Sequence, residues 1–265
     1  MGNSFFEPGQ QRAHKVNALF NKIAPRYDLI NDLQSFGLHR HWKRRLLKLA
    51  QPKPGVIALD LCCGTADLAL AMAEAGAQVV GLDFSEQMLQ VAERRASQRV
   101  SPKNSASQSP ENPKLLPSKN PIFIRGDAQK IPFADAAFEI VGVGYGLRNL
   151  ASWELGLAEM LRVSKPGGRL LVLEFGKPDN AIWRFAYFAY LRLVVPVLGR
   201  VFAGSWSAYA YILESLKHYP AQAGVAKKMR ELGLINVKVI DLLGGVMSIN
   251  YGEKPTRPEG LSEDS

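Results

Sequence analysis

The sequence predicts an α/β protein with a doubly wound, seven-stranded and mostly parallel sheet in which the last strand is antiparallel. Two observations support this fold class. Short apolar segments alternate with segments rich in helix-forming residues, and βαβ connections make such strands parallel. Near the end of the chain, two strand-like segments are separated by a short link containing Gly244-Gly245, which makes that pair antiparallel.

The first strand, turn and helix contain the predicted ligand-binding turn. Residues 56–61 form an apolar segment typical of a strand covered on both faces, and residues 66–74 are rich in good helix formers. Gly64 lies between them and lets a ligand approach the backbone, while the helix N-terminus offers free N–H groups. Asp60 adds a negative charge at the end of the strand.

The second strand, residues 78–83, ends in Asp83. An acid about twenty residues after the turn is what ribose recognition needs in a nucleotide-binding βαβ unit. A dinucleotide also needs a glycine-richer turn, whereas this turn has only Gly64. S-adenosylmethionine has no phosphate but still needs the ribose acid, so we expect it as the cofactor.

Ser85 then predicts an N-cap for a helix at residues 86–96, whose Met88 either contacts an adenine ring or packs in the core. Residues 97–121 contain five prolines and no periodicity, which predicts a disordered insertion. The later predicted elements are strands at 122–127, 138–145, 169–175, 236–242 and 246–254, a helix at 152–163 and a turn at 165–168.

The third strand ends in Asp127, which is placed to hydrogen-bond an adenine amino group. Because Asp60, Asp83 and Asp127 all follow strands, they are expected at the carboxyl edge, where open α/β sheets bind ligands. In the fourth strand, glycine recurs at every second position, at Gly142, Gly144 and Gly146. One strand face made of glycine suits a flat ligand packed against the backbone.

We expect residues 1–50 to form an N-terminal helical cap on a domain of residues 51–265. A short helix is predicted at 14–24, followed by a loop at 26–32 whose Tyr27 either closes over a ligand or remains solvated. Downstream, a basic amphipathic helix suits a membrane surface or phosphates, or presents a solvated face. Its basic residues, in a stretch without acids, are Arg40, Lys43, Arg44, Arg45, Lys48 and Lys53.

Residues 181–220 are predicted to form a hydrophobic helical lid. Arginines and Pro196 interrupt the apolar run, which is therefore too short to span a bilayer. The alternatives are a wall of the substrate pocket, a membrane-contacting helix and an ordinary core helix.

The chain of 265 residues carries a net charge of +9, which favours an anionic partner such as nucleic acid or acidic lipid. Cys62 and Cys63 are adjacent, so we expect them to be reduced wall residues rather than a disulfide. The four histidines show no metal-ligand spacing, and no metal site is expected. Because no secretory signal is recognisable, we expect a cytoplasmic protein, or one at the cytoplasmic face of a membrane.

Several motifs together resemble the ubiquinone/menaquinone biosynthesis C-methyltransferase family, a branch of the Rossmann-like class I S-adenosylmethionine-dependent methyltransferases. The resemblance runs nearly end to end, and the motifs lie at residues 27–43, 146–149, 162–168, 173–175, 208–215 and 244–249. It implies methyl transfer to a ring carbon of a polyprenylated quinol. It also implies cofactor contacts at Thr65, Asp83, Asp127 and Ala128, and it makes residues 51–265 the methyltransferase domain.

The turn departs from the family pattern, because Cys62, Cys63 and Ala66 stand where glycine or other small residues are usual. Gly144 replaces a frequent serine, so that its contact with the cofactor would be through the backbone. The cysteine pair is similar to the cyanobacterial and plastid members that methylate demethylphylloquinone. The resemblance therefore predicts demethylphylloquinol as the substrate, with demethylmenaquinol or a demethyl-benzoquinol as alternatives.

We hypothesise that Arg148 and Asn149 orient a phenolate or a water molecule, unless Arg148 only pairs with an acid. The prenyl tail is expected to contact the lid, at Phe185, Tyr187, Phe188 and Leu191. The expected partners are the quinol and an anionic membrane surface, without nucleic acid, and the sequence leaves the oligomeric state open. Two other classes stay open: a nicotinamide oxidoreductase and a non-catalytic module that binds membrane or nucleic acid.

Overall fold

The computed structural model describes residues 18, 20, 21, 24, 27–99, 120–203 and 207–256. In this part of the chain, seven strands form one sheet. The strands are β1 (Ile57–Leu61), β2 (Gln78–Asp83), β3 (Ile122–Arg125), β4 (Phe138–Gly144), β5 (Ser164–Phe175), β6 (Ile235–Leu242) and β7 (Met247–Glu253).

The helices predicted at 66–74, 86–96 and 152–163 are present, and the structure adds one at residues 221–231 that was not predicted. The helices are α1 (Tyr27–Ser35), α2 (Leu38–Ala50), α3 (Asp67–Glu74), α4 (Glu86–Arg99), α5 (Trp153–Val163), α6 (Ala181–Ala203), α7 (Ser207–His218) and α8 (Ala221–Glu231), with a 3₁₀ turn at Leu147–Asn149. The predicted Ser85 cap is present, because the Ser85 hydroxyl accepts from the Met88 N–H at 3.2 Å, and the Ser152 hydroxyl likewise accepts from the Leu155 N–H at 3.2 Å.

The strand order is β3-β2-β1-β4-β5-β7-β6. Neighbouring strands from β3 to β5 are parallel, and β7 is antiparallel to both β5 and β6. This arrangement confirms the predicted fold class. The chain order changes direction between β1 and β4, and a crevice at the carboxyl ends of such strands is where open α/β sheets bind ligands.

Helices cover both faces of the sheet. On one face, Leu59, Val141 and Val172 belong to a core cluster that includes residues of α5, α6, α7 and α8. On the other face, Ala58 and Leu171 belong to a cluster that includes residues of α2, α3 and α4. The central strands are therefore buried on both sides, which explains why they are continuously apolar in sequence.

The structure corrects three predicted elements. Residues 27–35 form α1 rather than a loop, because the polar residues of this segment find partners far away in sequence, as Asp28 does with Thr65. The turn at 165–168 is a bulge within β5 opposite Glu139, whose Oε1 accepts from Lys165 Nζ at 2.5 Å. Helix α4 also continues to Arg99, beyond the predicted start of the insertion.

Several other predictions fall partly outside the described residues. They are the insertion at 100–119, most of the helix at 14–24, and positions 204–206 of the lid. The division into a cap and a main domain stays a prediction. Where the structure describes the chain, no helix has both the length and the apolar character needed to cross a membrane.

Candidate functional site

A cavity of about 810 Å³, including its open mouth, lies at the carboxyl edge of β1, β2 and β4. Most of the predicted site residues line it. Those residues are Tyr27, Gly64, Asp83, Met88, Asp127, Ala128, Gly144 and Asn149. The structure thus brings together residues that the sequence placed on separate elements.

The turn between β1 and α3 keeps its shape without the usual glycines. Cys62, Gly64 and Ala66 all have left-handed backbone conformations, with φ of 54°, 54° and 69°. Such a conformation is unfavourable for Cys62 and Ala66, since it brings a side chain close to the backbone. Packing compensates for this strain, because Ala66 is fully buried and its N–H donates to the Cys63 carbonyl at 2.8 Å.

The carboxylate of Asp83 joins the two turns at this edge. Its Oδ2 accepts from the Gly64 N–H at 2.8 Å and its Oδ1 from the Ser85 N–H at 2.8 Å. Burial raises the pKa of Asp83 above its ordinary value. Each carboxylate oxygen can accept more than one hydrogen bond, so Asp83 can still bind hydroxyl groups in the cavity.

The carboxylate of Asp127 is also held by a backbone N–H group. Asp127 Oδ1 accepts from the Gln129 backbone N–H at 2.9 Å, which fixes the carboxylate at the cavity wall. Met88 is almost completely buried and lines the same wall. Cys62 also lines the cavity, and burial raises the pKa of its thiol well above the ordinary range, as expected for an unreactive wall residue.

Asp60, Thr65 and Arg148 do not line the cavity. Asp60 is buried behind it, where its Oδ2 accepts from the Ala69 N–H at 2.9 Å and burial raises its pKa to about 7. The hydroxyl of Thr65 donates to Asp28 at 2.7 Å. These hydrogen bonds hold α3 and α1 in place, and the cofactor contacts predicted for the two residues stay predictions.

A charge network behind the turn connects four helices. Asp67 of α3 accepts from Lys43 of α2 and from Arg95 of α4, each at 2.6 Å. Arg95 also reaches Asp28 of α1 at 2.9 Å and the Thr65 carbonyl at 2.9 Å. The network holds α1, which carries Tyr27, against the turn, and none of its cross-helix pairs is visible as a sequence pattern.

Arg148 is in a buried ion pair. Its Nη1 lies 2.7 Å from Glu174 Oε1, and the two side chains are 5% and 2% exposed. The same nitrogen donates to the Tyr145 carbonyl at 2.8 Å, and the guanidinium lies 4.6 Å from the centre of the Phe175 ring. Arg148 therefore pairs with an acid, as in the alternative to a role in orienting a phenolate or water. Asn149, in contrast, lines the cavity.

Tyr145 is a cavity residue that the sequence did not identify. It has a left-handed backbone with φ of 64°, and its carbonyl accepts from both Arg148 and Asn149. Lys43 Nζ lies 5.7 Å from the centre of its ring. A bulky residue with positive φ is a known indicator of functional sites, but the sequence carries no signal of φ.

The three glycines in and after β4 have different surroundings. A Cβ atom at Gly144 would lie 2.9 Å from Leu68, and one at Gly146 would lie 2.4 Å from Cys62. A Cβ atom at Gly142 would meet nothing within 4 Å. Close packing against Cys62 accounts for Gly146, whereas Gly144 also lines the cavity and its contact with a flat ligand stays a prediction.

The sheet order, the acid that ends β2 and the cavity at the change of strand direction define a class I S-adenosylmethionine-dependent methyltransferase fold. Solved structures agree with this class. The [4+2]-cyclase SpnF superposes with a TM-score of 0.59 over 92% of this chain and 96% of that one. A putative S-adenosylmethionine-dependent methyltransferase from Methanococcus maripaludis gives 0.58, also over 92% and 96%. Both are 16% identical, which supports the fold alone.

The chain belongs to the ubiE/COQ5 methyltransferase family, whose match covers residues 9–254. A demethylmenaquinone methyltransferase from Desulfitobacterium hafniense is 39% identical over 93% of this chain and 92% of its own length. Another, from Anoxybacillus flavithermus, is 35% identical over 93% and 98%. The predicted family and cofactor are confirmed: the protein uses S-adenosylmethionine for C-methylation within the quinone-biosynthesis family.

Proposed function

We propose that the protein methylates a ring carbon of a prenylated naphthoquinol, with demethylmenaquinol as the substrate. The observation that carries this proposal is the similarity to demethylmenaquinone methyltransferases over 93% of the chain. It supports demethylmenaquinol more strongly than the demethylphylloquinol that the motif resemblance favoured. Demethylphylloquinol stays the second candidate, since the Cys62-Cys63 pair supports it and both molecules have the same ring.

The cavity residues suit S-adenosylmethionine. The half-buried carboxylate of Asp83 would accept from the ribose hydroxyls, and Asp127 would accept from the adenine amino group. Met88 and Ala128 would contact the adenine ring with apolar surface. At Gly64, the left-handed backbone leaves space for the amino-acid part, because a Cβ atom there would have only Tyr27 within 4 Å.

S-adenosylmethionine supplies the methyl group as an electrophile on a sulfonium sulfur. The protein's task is to align a nucleophilic ring carbon with it, and a hydroxyl-bearing quinol ring is nucleophilic whereas a quinone is not. Asn149 lines the cavity and is the residue we assign to orienting a phenolic oxygen. Arg148 cannot act as a base. Its pairing with Glu174 and its bond to the Tyr145 carbonyl make it a positioning residue.

The reaction is tested with labelled S-adenosylmethionine and 2-geranyl-1,4-naphthoquinone, a short-tailed demethylmenaquinone, with and without dithionite. We expect label in the ring only when the quinone is reduced. Demethylphylloquinone and a geranylated demethyl-benzoquinone in parallel assays rank the candidate substrates by kcat/KM. Cofactor binding without label in either naphthoquinol would refute the proposal.

We also propose that α6 contacts an anionic membrane. Four of its exposed residues form an apolar stripe, opposite the buried stripe that contains Tyr187 and Leu191. The exposed stripe consists of Ile182, Phe185, Leu193 and Val197, of which Phe185 is 78% exposed and Leu193 65%. A helix that is apolar on both sides needs a partner for its outer face.

Charge favours a lipid surface as that partner. Helix α6 has no acidic residue, and its Arg184, Arg192 and Arg200 are exposed. Interfacial helices combine apolar and basic residues in this way. The residues predicted to contact the prenyl tail lie on different sides of α6, because Phe185 faces outwards whereas Tyr187 faces the core. On the basic helix α2, Lys43 is held by Asp67, which leaves Arg44, Arg45 and Lys48 exposed for lipid.

Vesicle flotation tests the membrane contact, using phosphatidylcholine with and without phosphatidylglycerol. We expect the wild type to float with the anionic vesicles, and a Phe185→Glu/Leu193→Glu variant to stay in solution. Ile235→Glu, at a half-exposed apolar residue of β6, is the matched control and should float like the wild type. Equal flotation of all three proteins would exclude α6 as the contact.

A further inference from the structure

Two aromatic residues from the N-terminal part of the chain lie at the cofactor cavity, and each is followed directly by a polar residue. The two pairs are Phe20-Asn21 and Tyr27-Asp28. Phe20 and Tyr27 both line the cavity, and their ring centres are 6.1 Å apart in an edge-on arrangement. This is a preferred geometry for two aromatic rings, so they form one continuous aromatic wall.

Asp28 fixes the second pair to the turn after β1. Its Oδ1 accepts from the Thr65 hydroxyl at 2.7 Å, and its Oδ2 accepts from Arg95 Nη1 at 2.9 Å. The same nitrogen of Arg95 donates to the Thr65 carbonyl at 2.9 Å. Both carboxylate oxygens of Asp28 therefore hold the first turn of α1 at the residue next to Tyr27.

Asn21 fixes the first pair to the turn after β2. The Ser85 hydroxyl donates to Asn21 Oδ1 at 2.5 Å, and the Ser85 N–H donates to Asp83 Oδ1 at 2.8 Å. Ser85 itself lines the cavity. The aromatic wall is thus hydrogen-bonded at two points, each on a different turn at the carboxyl edge of the sheet.

The Tyr27 ring faces the backbone of the turn after β1. A Cβ atom at Gly64 would lie 3.9 Å from Tyr27 Cε1, and the Gly64 N–H donates to Asp83 Oδ2 at 2.8 Å. In S-adenosylmethionine the sulfonium sulfur joins the amino-acid part, which we assign to Gly64, to the nucleoside, whose ribose we assign to Asp83. The positive sulfur would therefore bind beside Tyr27, and a cation near an aromatic face is attracted by the ring.

We propose that the Tyr27 ring binds the sulfonium of S-adenosylmethionine by a cation–π interaction, and that it favours the cofactor over the product S-adenosylhomocysteine. Methyl transfer converts the sulfonium into a neutral thioether, so the product lacks this interaction. Phe20 supports the ring, and Asn21 and Asp28 are positioning residues. The inference goes beyond the proposed function, because it depends on the cofactor and not on the identity of the quinol.

Isothermal titration calorimetry of the full chain tests the proposal with three ligands. They are S-adenosylmethionine, S-adenosylhomocysteine and sinefungin, which carries an ammonium group where the cofactor carries its methylsulfonium. The quantity of interest is the Kd for S-adenosylhomocysteine divided by the Kd for S-adenosylmethionine. A purely structural change weakens both ligands together and leaves this ratio unchanged.

The variants separate the ring from its support. Tyr27→Leu removes the ring, Tyr27→Phe keeps it, and Asp28→Ala releases α1 from Thr65 and Arg95. Phe36→Leu is the matched control for the ring, because Phe36 directly follows α1 but is 78% exposed and does not line the cavity. Asp32→Ala is the matched control for the acid, because Asp32 also lies on α1 but pairs with Arg40 at 2.5 Å.

We expect Tyr27→Leu to lower the Kd ratio by roughly five- to thirtyfold, the range of a partly desolvated cation–π contact. Tyr27→Phe should keep the ratio of the wild type, since the phenyl ring attracts a cation as well. Asp28→Ala should lower the ratio by a smaller factor, because the ring is present but no longer held. Sinefungin should weaken together with S-adenosylmethionine, and both control variants should keep the wild-type ratio.

Equal weakening of S-adenosylmethionine and S-adenosylhomocysteine by Tyr27→Leu would overturn the proposal, because the ring would then act by its shape alone. An unchanged Kd for both ligands would overturn it as well. If Tyr27→Leu does not fold, the Kd ratio of Asp28→Ala decides by the same criterion. The titrations contain no quinol, so their outcome is independent of whether the protein transfers label to a naphthoquinol.

Discussion

Replacing Asp67 by Asn should destabilise the protein by removing the centre of the charge network. Asp67 Oδ2 is 2.6 Å from Lys43 Nζ, and its Oδ1 is 2.6 Å from Arg95 Nη2. All three side chains are at most one quarter exposed, so water screens the interaction weakly. The asparagine would leave two cations facing each other with no negative charge between them.

The size of the effect follows from the pKa of Asp67. Burial would raise it, but Lys43 and then Arg95 outweigh burial and lower it from 3.8 to about 2. Since each pKa unit is worth about 1.36 kcal/mol, the two partners stabilise the folded state by roughly 2–3 kcal/mol. This stabilisation is fully present above pH 4, the unfolded-state range, and is lost as the pH falls through about 2.

Urea unfolding at pH 7 should therefore show Asp67→Asn to be roughly 2–3 kcal/mol less stable than the wild type, and about half that difference should remain at pH 3. The matched control is Asp135→Asn. Asp135 also pairs with an arginine, Arg162 at 2.8 Å, but its side chain is 77% exposed, so the change should cost less than about 0.5 kcal/mol. Equal stability of the two variants at pH 7 would refute the reasoning.

Two further changes test the site. Burial raises the pKa of Asp60 to about 7, so the folded state holds a proton that the unfolded chain releases near pH 4. The stability that this group contributes falls by up to about 4 kcal/mol as the pH rises from 4 to 7. Urea unfolding should therefore show that the free energy of unfolding of Asp60→Asn, relative to the wild type, is higher at pH 8 than at pH 4.5. The same difference between the two proteins at both pH values would contradict this. Gly146→Ala would place a Cβ atom 2.4 Å from Cys62 and should lower stability by about 1–3 kcal/mol, whereas Gly142→Ala has open space and should change it by less than about 1 kcal/mol. Equal melting temperatures of these two variants would show that the Cys62 side chain can move away from the new methyl group without a loss of stability.

Much of the fold was predictable because its signals are local. The segment Gln78–Asp83 was predicted with the bounds that the structure shows, since a strand buried on both faces is a continuous apolar segment with a polar end. Ser85 and Ser152 mark helix starts, because the hydroxyl that caps a helix is encoded at one position. The carboxyl-edge acids followed from the topology of parallel strands, which is why Asp83 and Asp127 were located correctly in the cavity.

The remaining features depend on contacts between distant residues. Helix α1 was predicted as a loop because its polar residues look solvated, although Asp28 bonds to Arg95 across 67 positions. The buried pair of Arg148 and Glu174 joins residues 26 positions apart, on a 3₁₀ turn and a strand. Periodicity describes which face of one element is buried and carries no information about which polar groups meet between elements.

Arg148 and Asn149 are neighbours in one predicted motif, but their side chains have different surroundings in the structure. A 3₁₀ turn rotates by about 120° per residue, so neighbouring side chains leave it in different directions. Asn149 consequently faces the cavity, while Arg148 turns to Glu174, yet both donate to the same carbonyl of Tyr145. A change at Arg148 would then act on the cavity through Tyr145. Its effect on activity would measure how well that strained tyrosine is held, because Arg148 itself does not line the cavity.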